Sequence, residues 1–538
     1  MTSVLSFVLA LLVTTVLIPV CRRYASHIGL IDEPGEMRRV HLEAIPRSGG
    51  IAIVLGALIA TAVWLPTYQH YLPFIGCICV IALFGLLDDL TELPSSIKFV
   101  GQLIAALWFI YAYGGVTHLP FSPLDSAPAA LCLFLSFLFL LGITNAVNLS
   151  DGLDGLAAGN SLLSLGLLAV FATQLGEVGY LILALTTTGG LLGFLRFNTH
   201  PASIFMGDTG SQFIGFTAAA LTILLMQNES LPVSPMLPVL IFGLPILDTL
   251  SVMGVRLVRG RPIFQADRSH LHHQFLKMGF QHYQVVAILY SLQAVVVGFA
   301  YALRYESDAL ILAAYLAFCG VVLSLILWAR LSNWQTHGSK RGLEGRERRN
   351  LWLRKLEWYH LHTAKVLAAA LGIFFVAGAW FMKPLPDAIS DFALIAAALM
   401  LATQLLRRNH ERAITRLAGF TVTAFLVYGF LADTGTNSTQ GIAVDLYLIA
   451  LVVALGLAIR VTRHERFALD NQDYLVLLVV VLAPLVLLEQ FDGEMITRSV
   501  LRLAILVYAC EYVASKGRHT RPVMNAAGIL GLLIMGLK

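Results

Sequence analysis

Ala129-Ala-Leu-Cys-Leu-Phe-Leu-Ser-Phe-Leu-Phe-Leu-Leu-Gly-Ile-Thr144, then Asn145-Ala-Val-Asn-Leu-Ser-Asp-Gly-Leu-Asp-Gly155, then an apolar run to Gln174: this stretch decides how the chain is read. Uncharged apolar runs flank a short polar insert. Runs of roughly 17–22 such residues are long enough to cross a bilayer core. The pattern recurs along all 538 residues, of which 58% are hydrophobic and only 13% charged. That charge share is about half what a soluble domain carries, and mean hydropathy is +0.78. The chain reads as an all-α polytopic membrane protein. A net charge of +4 argues against nucleic-acid binding as its task. Cys21, Cys77, Cys79, Cys132, Cys319 and Cys510 have no zinc-type spacing and read as small buried hydrophobes. No basic segment precedes the first apolar run and no small-residue cleavage site follows it, so it is expected to stay as a helix.

Eighteen spans are predicted. Eleven lie near 4–20, 49–66, 72–87, 97–114, 129–144, 155–174, 178–195, 211–226, 236–254, 284–303 and 309–329. Seven more lie near 366–382, 389–406, 417–432, 442–459, 473–488, 499–513 and 522–537. Basic residues set the orientation. Arg22, Arg23, Arg38, Arg39 and Arg47 follow the first span; Arg256, Arg259, Arg261, Arg268 and Lys277 follow the ninth. The alternate loops 67–71, 115–128, 175–177 and 227–235 have no Lys or Arg. Odd-to-even loops are therefore expected in the cytoplasm, with both termini outside. The domains read as 1–330, a basic cytoplasmic linker over 331–365, and a further membrane module over 366–538. The linker's Leu351–His362 segment also suits an anionic leaflet.

Acidic residues in a membrane protein sit where they have work or a partner. Here they fall on loops of one side: Asp88-Asp89 with Lys98; Asn145, Asn148, Asp151 and Asp154; Phe205-Met-Gly-Asp208-Thr-Gly210; and Asp267-Arg268-Ser-His270-Leu-His272-His273. If helical, the four residues from Asn145 to Asp154, spaced by three, form one stripe. Taken singly, an Asp pair at a helix end could be cap chemistry, Gly-Asp-Thr-Gly a turn with an N-cap, and the histidines a solvated cluster. Together they form a candidate site. Carboxylates and amides without thiols suit Mg²⁺ or Mn²⁺, and the nearby Arg, Lys and His suit phosphate. Metal-assisted phosphoryl transfer between a nucleotide and a lipid phosphate fits that chemistry.

At these residues, and at Asp32-Glu-Pro34 through Arg39, His41 and Pro46 to Gly50, the chain resembles the polyprenyl-phosphate N-acetylhexosamine-1-phosphate transferase superfamily, glycosyltransferase family 4. The likeness spans roughly residues 1–330. The His-Leu-His-His form of the last motif sides with the UDP-GlcNAc:undecaprenyl-phosphate branch rather than the phospho-N-acetylmuramoyl-pentapeptide branch. The resemblance implies transfer of a sugar-1-phosphate from a UDP-N-acetylhexosamine to undecaprenyl phosphate at the inner membrane of a bacterium, with release of UMP and initiation of a lipid-linked surface glycan. It implies Asn148 and Asp208 as metal positions. Asp88, Asp89, Asp151, Asp154, His270, His272 and His273 fall at positions of the catalytic machinery, with nucleotide binding open for Asp151 and Asp154. Lys98, Asn145, Arg268, Arg39 and His41 fall at substrate positions. A homodimer, or contact with downstream glycan-assembly proteins, is the further partner expectation. Family members usually stop near the eleventh span; the last seven spans here contain no catalytic motif. A different class, a transporter or flippase, would place its ionisable residues near the bilayer midplane, whereas these sit at one edge.

Overall fold

The computed structural model describes residues 2–32, 44–65, 68–91, 93–121, 128–228, 232–258, 270–332, 357–384, 387–406, 439–461 and 520–538, with short pieces around 415–427 and 501–514. These residues fall into two compact units, one up to Gly338 and one after it. The first contains α1 (Thr2–Tyr24), α2 (Gly49–Trp64), α3 (Tyr68–Thr91), α4 (Ser95–Tyr113), α5 (Ala129–Leu149), α6 (Leu156–Gln174), α7 (Val178–Asn198), α8 (Gly207–Met226), α9 (Pro238–Ile241), α10 (Gly243–Val258), α11 (Leu271–Lys277), α12 (His282–Ala302) and α13 (Asp308–Leu331). Two-residue strands β1 (Ile31–Asp32) and β2 (Ile45–Pro46) pair antiparallel. Nine helices among the described residues, all in this unit, are long and apolar enough to cross a membrane. The protein is an all-α, multi-pass membrane protein.

Each of the eleven spans expected before residue 330 is helical. Burial separates their roles. In α8, 94% of the apolar window is inside the protein, against 28% in α13. A helix apolar all round and enclosed on all sides is a core helix, so α8 is the axis: α3, α5, α2 and α6 pack on it. Most of α13 lies outside the core of this unit.

The ninth span departs from the expected single helix of 236–254. It breaks at Phe242 into α9 and α10. Pro245 has no N–H to give the Ile241 carbonyl, and its ring crowds that turn. Freed backbone groups in an apolar bundle must be re-satisfied by neighbours. Ser164 Oγ (2.8 Å) and Gln293 Nε2 (2.9 Å) donate to the Ile241 carbonyl, Tyr315 donates to the Gly243 carbonyl (3.0 Å), and Leu244 N–H donates to Gln293 Oε1 (3.2 Å). Gln293, wholly buried, thus has a structural task in α12.

In the second unit, helices Glu357–Phe381, Asp387–Leu406, Thr439–Val461 and Arg521–Leu537 are described. Leu371, Phe375, Leu426, Cys510, Met524 and Leu532 lie in its apolar core. Arg502 reaches Asp445 at 2.8 Å, a charge pair between two of the expected spans. The expected span 473–488 and most of the linker lie outside the described residues.

Candidate active site

One end of the first unit gathers the polar residues, because α3 and α5 end there while α4, α6, α8 and α12 begin there. A cleft of about 340 Å³ opens among them, lined by Asp32, Arg47, Asp89, Asn148, Asp151, Asp154, Asp208, His272 and His273, with Gly152, Asn198 and Phe205.

The N-terminus of α8 organises the centre. Its first backbone N–H groups have no partner within the helix and carry the positive end of its dipole. Asp89, from α3, takes them: Oδ1 accepts from Asp208 N (2.8 Å), and Oδ2 from Thr209 N (2.9 Å) and Thr209 Oγ1 (2.6 Å). A carboxylate from one helix thus caps another. Gly207 allows it, with φ of +66° and no Cβ, which would otherwise come within 2.5 Å of the Asp89 carboxylate.

Asp208, so oriented, collects side chains from three helices. Lys98 Nζ lies 3.0 Å from Oδ2 and 2.5 Å from Asp88 Oδ2, bridging the two carboxylates. Asp88 Oδ1 also accepts from Leu93 N (2.8 Å). Asn148 Nδ2 donates to Asp208 Oδ1 (3.2 Å) and to Ser211 Oγ (2.8 Å), leaving its side-chain oxygen, Oδ1, for another partner. Beneath them, Asn145 Nδ2 donates to Gln102 Oε1 (2.7 Å), Gln102 Nε2 to Gln212 Oε1 (3.1 Å) and Gln212 Nε2 to Asp208 Oδ2 (3.4 Å). This amide chain links α4, α5 and α8.

The stripe expected from Asn145 to Asp154 is not one helical face. Helix α5 ends at Leu149, and a turn carries Asp151 and Asp154 to Gly155, whose φ is +81°. Asn198 fastens this turn, accepting from Gly155 N (2.9 Å) and donating to the Ile204 carbonyl (2.9 Å). Asp151 is pushed up to about 7 by desolvation and by the charges of Asp208, Asp89 and Asp154. Like charges this crowded favour a cation.

The histidines divide. Buried His270 does not line the cleft; its Nδ1 meets Asp248 Oδ2 at 2.8 Å, and the other oxygen of Asp248 accepts from Leu271 N (2.7 Å). That carboxylate, from α10, fixes the start of α11. His272 and His273 do line it, their rings 4.2 Å apart. His272 lies on Gly152, where a Cβ would come within 2.5 Å of its ring. Burial first, then the neighbouring His273, lowers its pKa to about 3, so it acts as a neutral imidazole. Asp154 lies beside His200 and His282, at 2.7 and 3.9 Å. Their ligand atoms fall within 4.8 Å of one another, as do those of Asp88, Asp89 and Asp208. The rings of His200 and His282 are near-parallel, 4.0 Å apart, and stacked rings cannot both aim in-plane lone pairs at one ion. The Asp88, Asp89 and Asp208 cluster, with Asn148 beside it, supplies only hard oxygen donors, and it fits a hard divalent cation.

Of the residues singled out from sequence, Asp89, Asn148, Asp151, Asp154, Asp208, His272 and His273 line the cleft. Asp88 and Lys98 flank it through Asp208, and Asn145 lies in the amide chain. Arg39, His41 and Arg268 lie outside the described residues. Sequence reasoning passed over Gln102, Gln212, Asp248, His200 and His282, and treated Arg47 only as topology, though Arg47 lines the cleft 2.5 Å from Asp32. Asp248 alone carried a signal, as a lone carboxylate in an apolar span.

A profile of glycosyl transferase family 4 matches residues 71–226, from the first turn of α3 to the end of α8, including the α8 cap. A Bacillus subtilis protein named "Probable undecaprenyl-phosphate N-acetylglucosaminyl 1-phosphate transferase" is 36% identical over 292 residues, covering 53% of this chain and 81% of the relative. The decaprenyl-phosphate N-acetylglucosaminephosphotransferase of Mycobacterium tuberculosis is 35% identical over 307 residues, covering 50% of this chain and 74% of its own. A phospho-N-acetylmuramoyl-pentapeptide-transferase of Geobacillus kaustophilus is 33% identical over 315 residues, covering 53% and 91%.

Proposed function

Because the chain belongs to glycosyl transferase family 4, we propose that it transfers N-acetylglucosamine-1-phosphate from UDP-N-acetylglucosamine to undecaprenyl phosphate, releasing UMP and starting a lipid-linked surface glycan. One observation carries the reading. The cleft at the helix ends brings together a lysine-bridged carboxylate pair and the side-chain amide of Asn148, in a chain 36% identical to a relative named for this transfer. The basic loops on this side support a cytoplasmic position for this end, where a water-soluble nucleotide-sugar and a lipid phosphate can meet.

In the transfer, an oxygen of the lipid phosphate bonds to the β-phosphorus of the donor. The bond from that phosphorus to the bridging oxygen breaks, and UMP leaves with that oxygen. Catalysis of this step is mostly positioning and charge neutralisation. Asp208 and Asn148 would hold Mg²⁺, or Mn²⁺, which when bound neutralises diphosphate charge. Lys98 supplies a fixed positive charge beside it. Of the acidic pair, Asp88 is the one whose oxygens are not committed to the end of α8, so it takes a proton from a protonated lipid phosphate. Asp89 acts by orienting Asp208. Neutral His272 faces the cleft as a hydrogen-bonding group, and Asp151 and Asp154 serve the nucleotide-sugar side.

The second reading is a donor bearing N-acetylmuramoyl-pentapeptide, favoured by relatives such as that of Geobacillus kaustophilus. A panel of UDP-sugars, with UMP release by the purified protein as readout, decides between them. UDP-N-acetylglucosamine should give the highest kcat/KM. A preference for UDP-N-acetylmuramoyl-pentapeptide would transfer the chain to the second reading.

The residues after about 335 are proposed to be dispensable for the chemistry, since the motifs lie before residue 280. A chain ending there should insert and release UMP. A monodisperse truncated protein that binds the donor without turnover would give the second unit a part in the site.

A further inference from the structure

We propose that His200 and His282 are positioning residues for the nucleotide-sugar donor: His200, its ring stacked on that of His282, holds one oxygen of Asp154 so that the other is kept as an acceptor at the cleft wall. The proposal rests on the transfer reading above.

The Asp154 carboxylate is used unevenly. Oδ2 takes His200 Nδ1 at 2.7 Å and Ala202 N at 3.1 Å, with His282 Nε2 at 3.9 Å. Oδ1 is buried and has no hydrogen-bond partner among the described residues, although Asp154 lines the cleft and is only 3% exposed. A buried carboxylate oxygen without a partner is costly. Such an arrangement persists where a ligand completes it. The missing partner is an N–H or O–H donor, and a nucleoside-sugar offers both kinds.

The two imidazoles explain why Oδ1 rather than Oδ2 is left over. His200 follows α7, and His282 is the first residue of α12. Their ring planes meet at 17° with centroids 4.0 Å apart. Stacking fixes the rotation of the His200 ring and so the direction of its Nδ1–H, which must point at Oδ2. The side chain of His200 is 43% exposed, so its burial contributes little to the fold. Its value is directional.

The test uses the full-length protein in nanodiscs, with donor and lipid acceptor varied separately. His200→Phe keeps a ring to stack but loses the donor N–H; His200→Asn restores an N–H near the Nδ1 position. Loss of one charge-assisted hydrogen bond that orients a binding group should raise the donor KM about tenfold. The acceptor KM and kcat should stay within about twofold, and His200→Asn, which restores the N–H but not the stack, should recover part of the donor affinity. Equal behaviour of the two variants, or donor and acceptor KM rising together, would reduce the stack to a structural contact. UDP affinity of the same three proteins separates the two claims. A wild type that binds UDP without turnover would sink the transfer reading while the three affinities still decide the positioning role. A wild type that does not bind UDP would overturn both.

Discussion

Asp208→Ala is expected to lower turnover by about 10³-fold or more while the protein stays folded and inserted. Asp208 is where side chains from several helices meet: Lys98 and Gln212 on Oδ2, Asn148 on Oδ1. Removing one preorganised group aimed at charge in the transition state typically costs about 10²–10³-fold. Here the loss also takes away one of two proposed cation ligands and releases Lys98 to Asp88 alone. The fold should survive, because Asn148 keeps Ser211 and Lys98 keeps Asp88. Excess chelator should silence the wild type as well, and added Mg²⁺ should restore it but not the variant. A variant that turns over normally, or a wild type indifferent to chelator, would remove Asp208 from the centre of the mechanism.

Asp89→Asn should cost nearly as much, by another route. The substitution puts an amide where both carboxylate oxygens accept from the first turn of α8. One oxygen can still accept, but the new NH₂ faces N–H groups, leaving buried donors unpaired at about 1–3 kcal/mol each. The start of α8 must then shift and carry Asp208 with it. A displacement of that scale can lower the rate about 10²-fold. Thr209→Val, which loses a single hydroxyl donor to the same oxygen, should be mild in comparison. The pair is read by thermal unfolding beside kcat. An Asp89→Asn protein that melts like the wild type, yet loses all activity, would make Asp89 a chemical rather than a positioning group.

Much of this was legible in the sequence because a membrane environment simplifies the reading. Apolar runs declare the spans, and in a chain with 13% charged residues each acidic cluster stands out. What remained hidden was direction. Neighbouring positions on a helix point about 100° apart, so Asp88 and Asp89 serve different partners, one toward α4 and the other toward α8. Spacing by three suggested a stripe from Asn145 to Asp154, yet α5 stops at Leu149 and Asn145 turns to Gln102. The break at Phe242 was hidden among prolines spread through an apolar segment. Sequence pattern could not pair His200 with His282, because residues 82 apart meet only through the packing of α12 on α6.

The central claim is that a phosphosugar, not a sugar, moves to the lipid. It is tested most directly by following label from UDP-N-acetylglucosamine carrying ³²P in the β-phosphate, with undecaprenyl phosphate and Mg²⁺ present. The account predicts that the label passes into the lipid fraction and that UMP appears in equal amount. Label retained in water-soluble UDP, with sugar alone on the lipid, would contradict it.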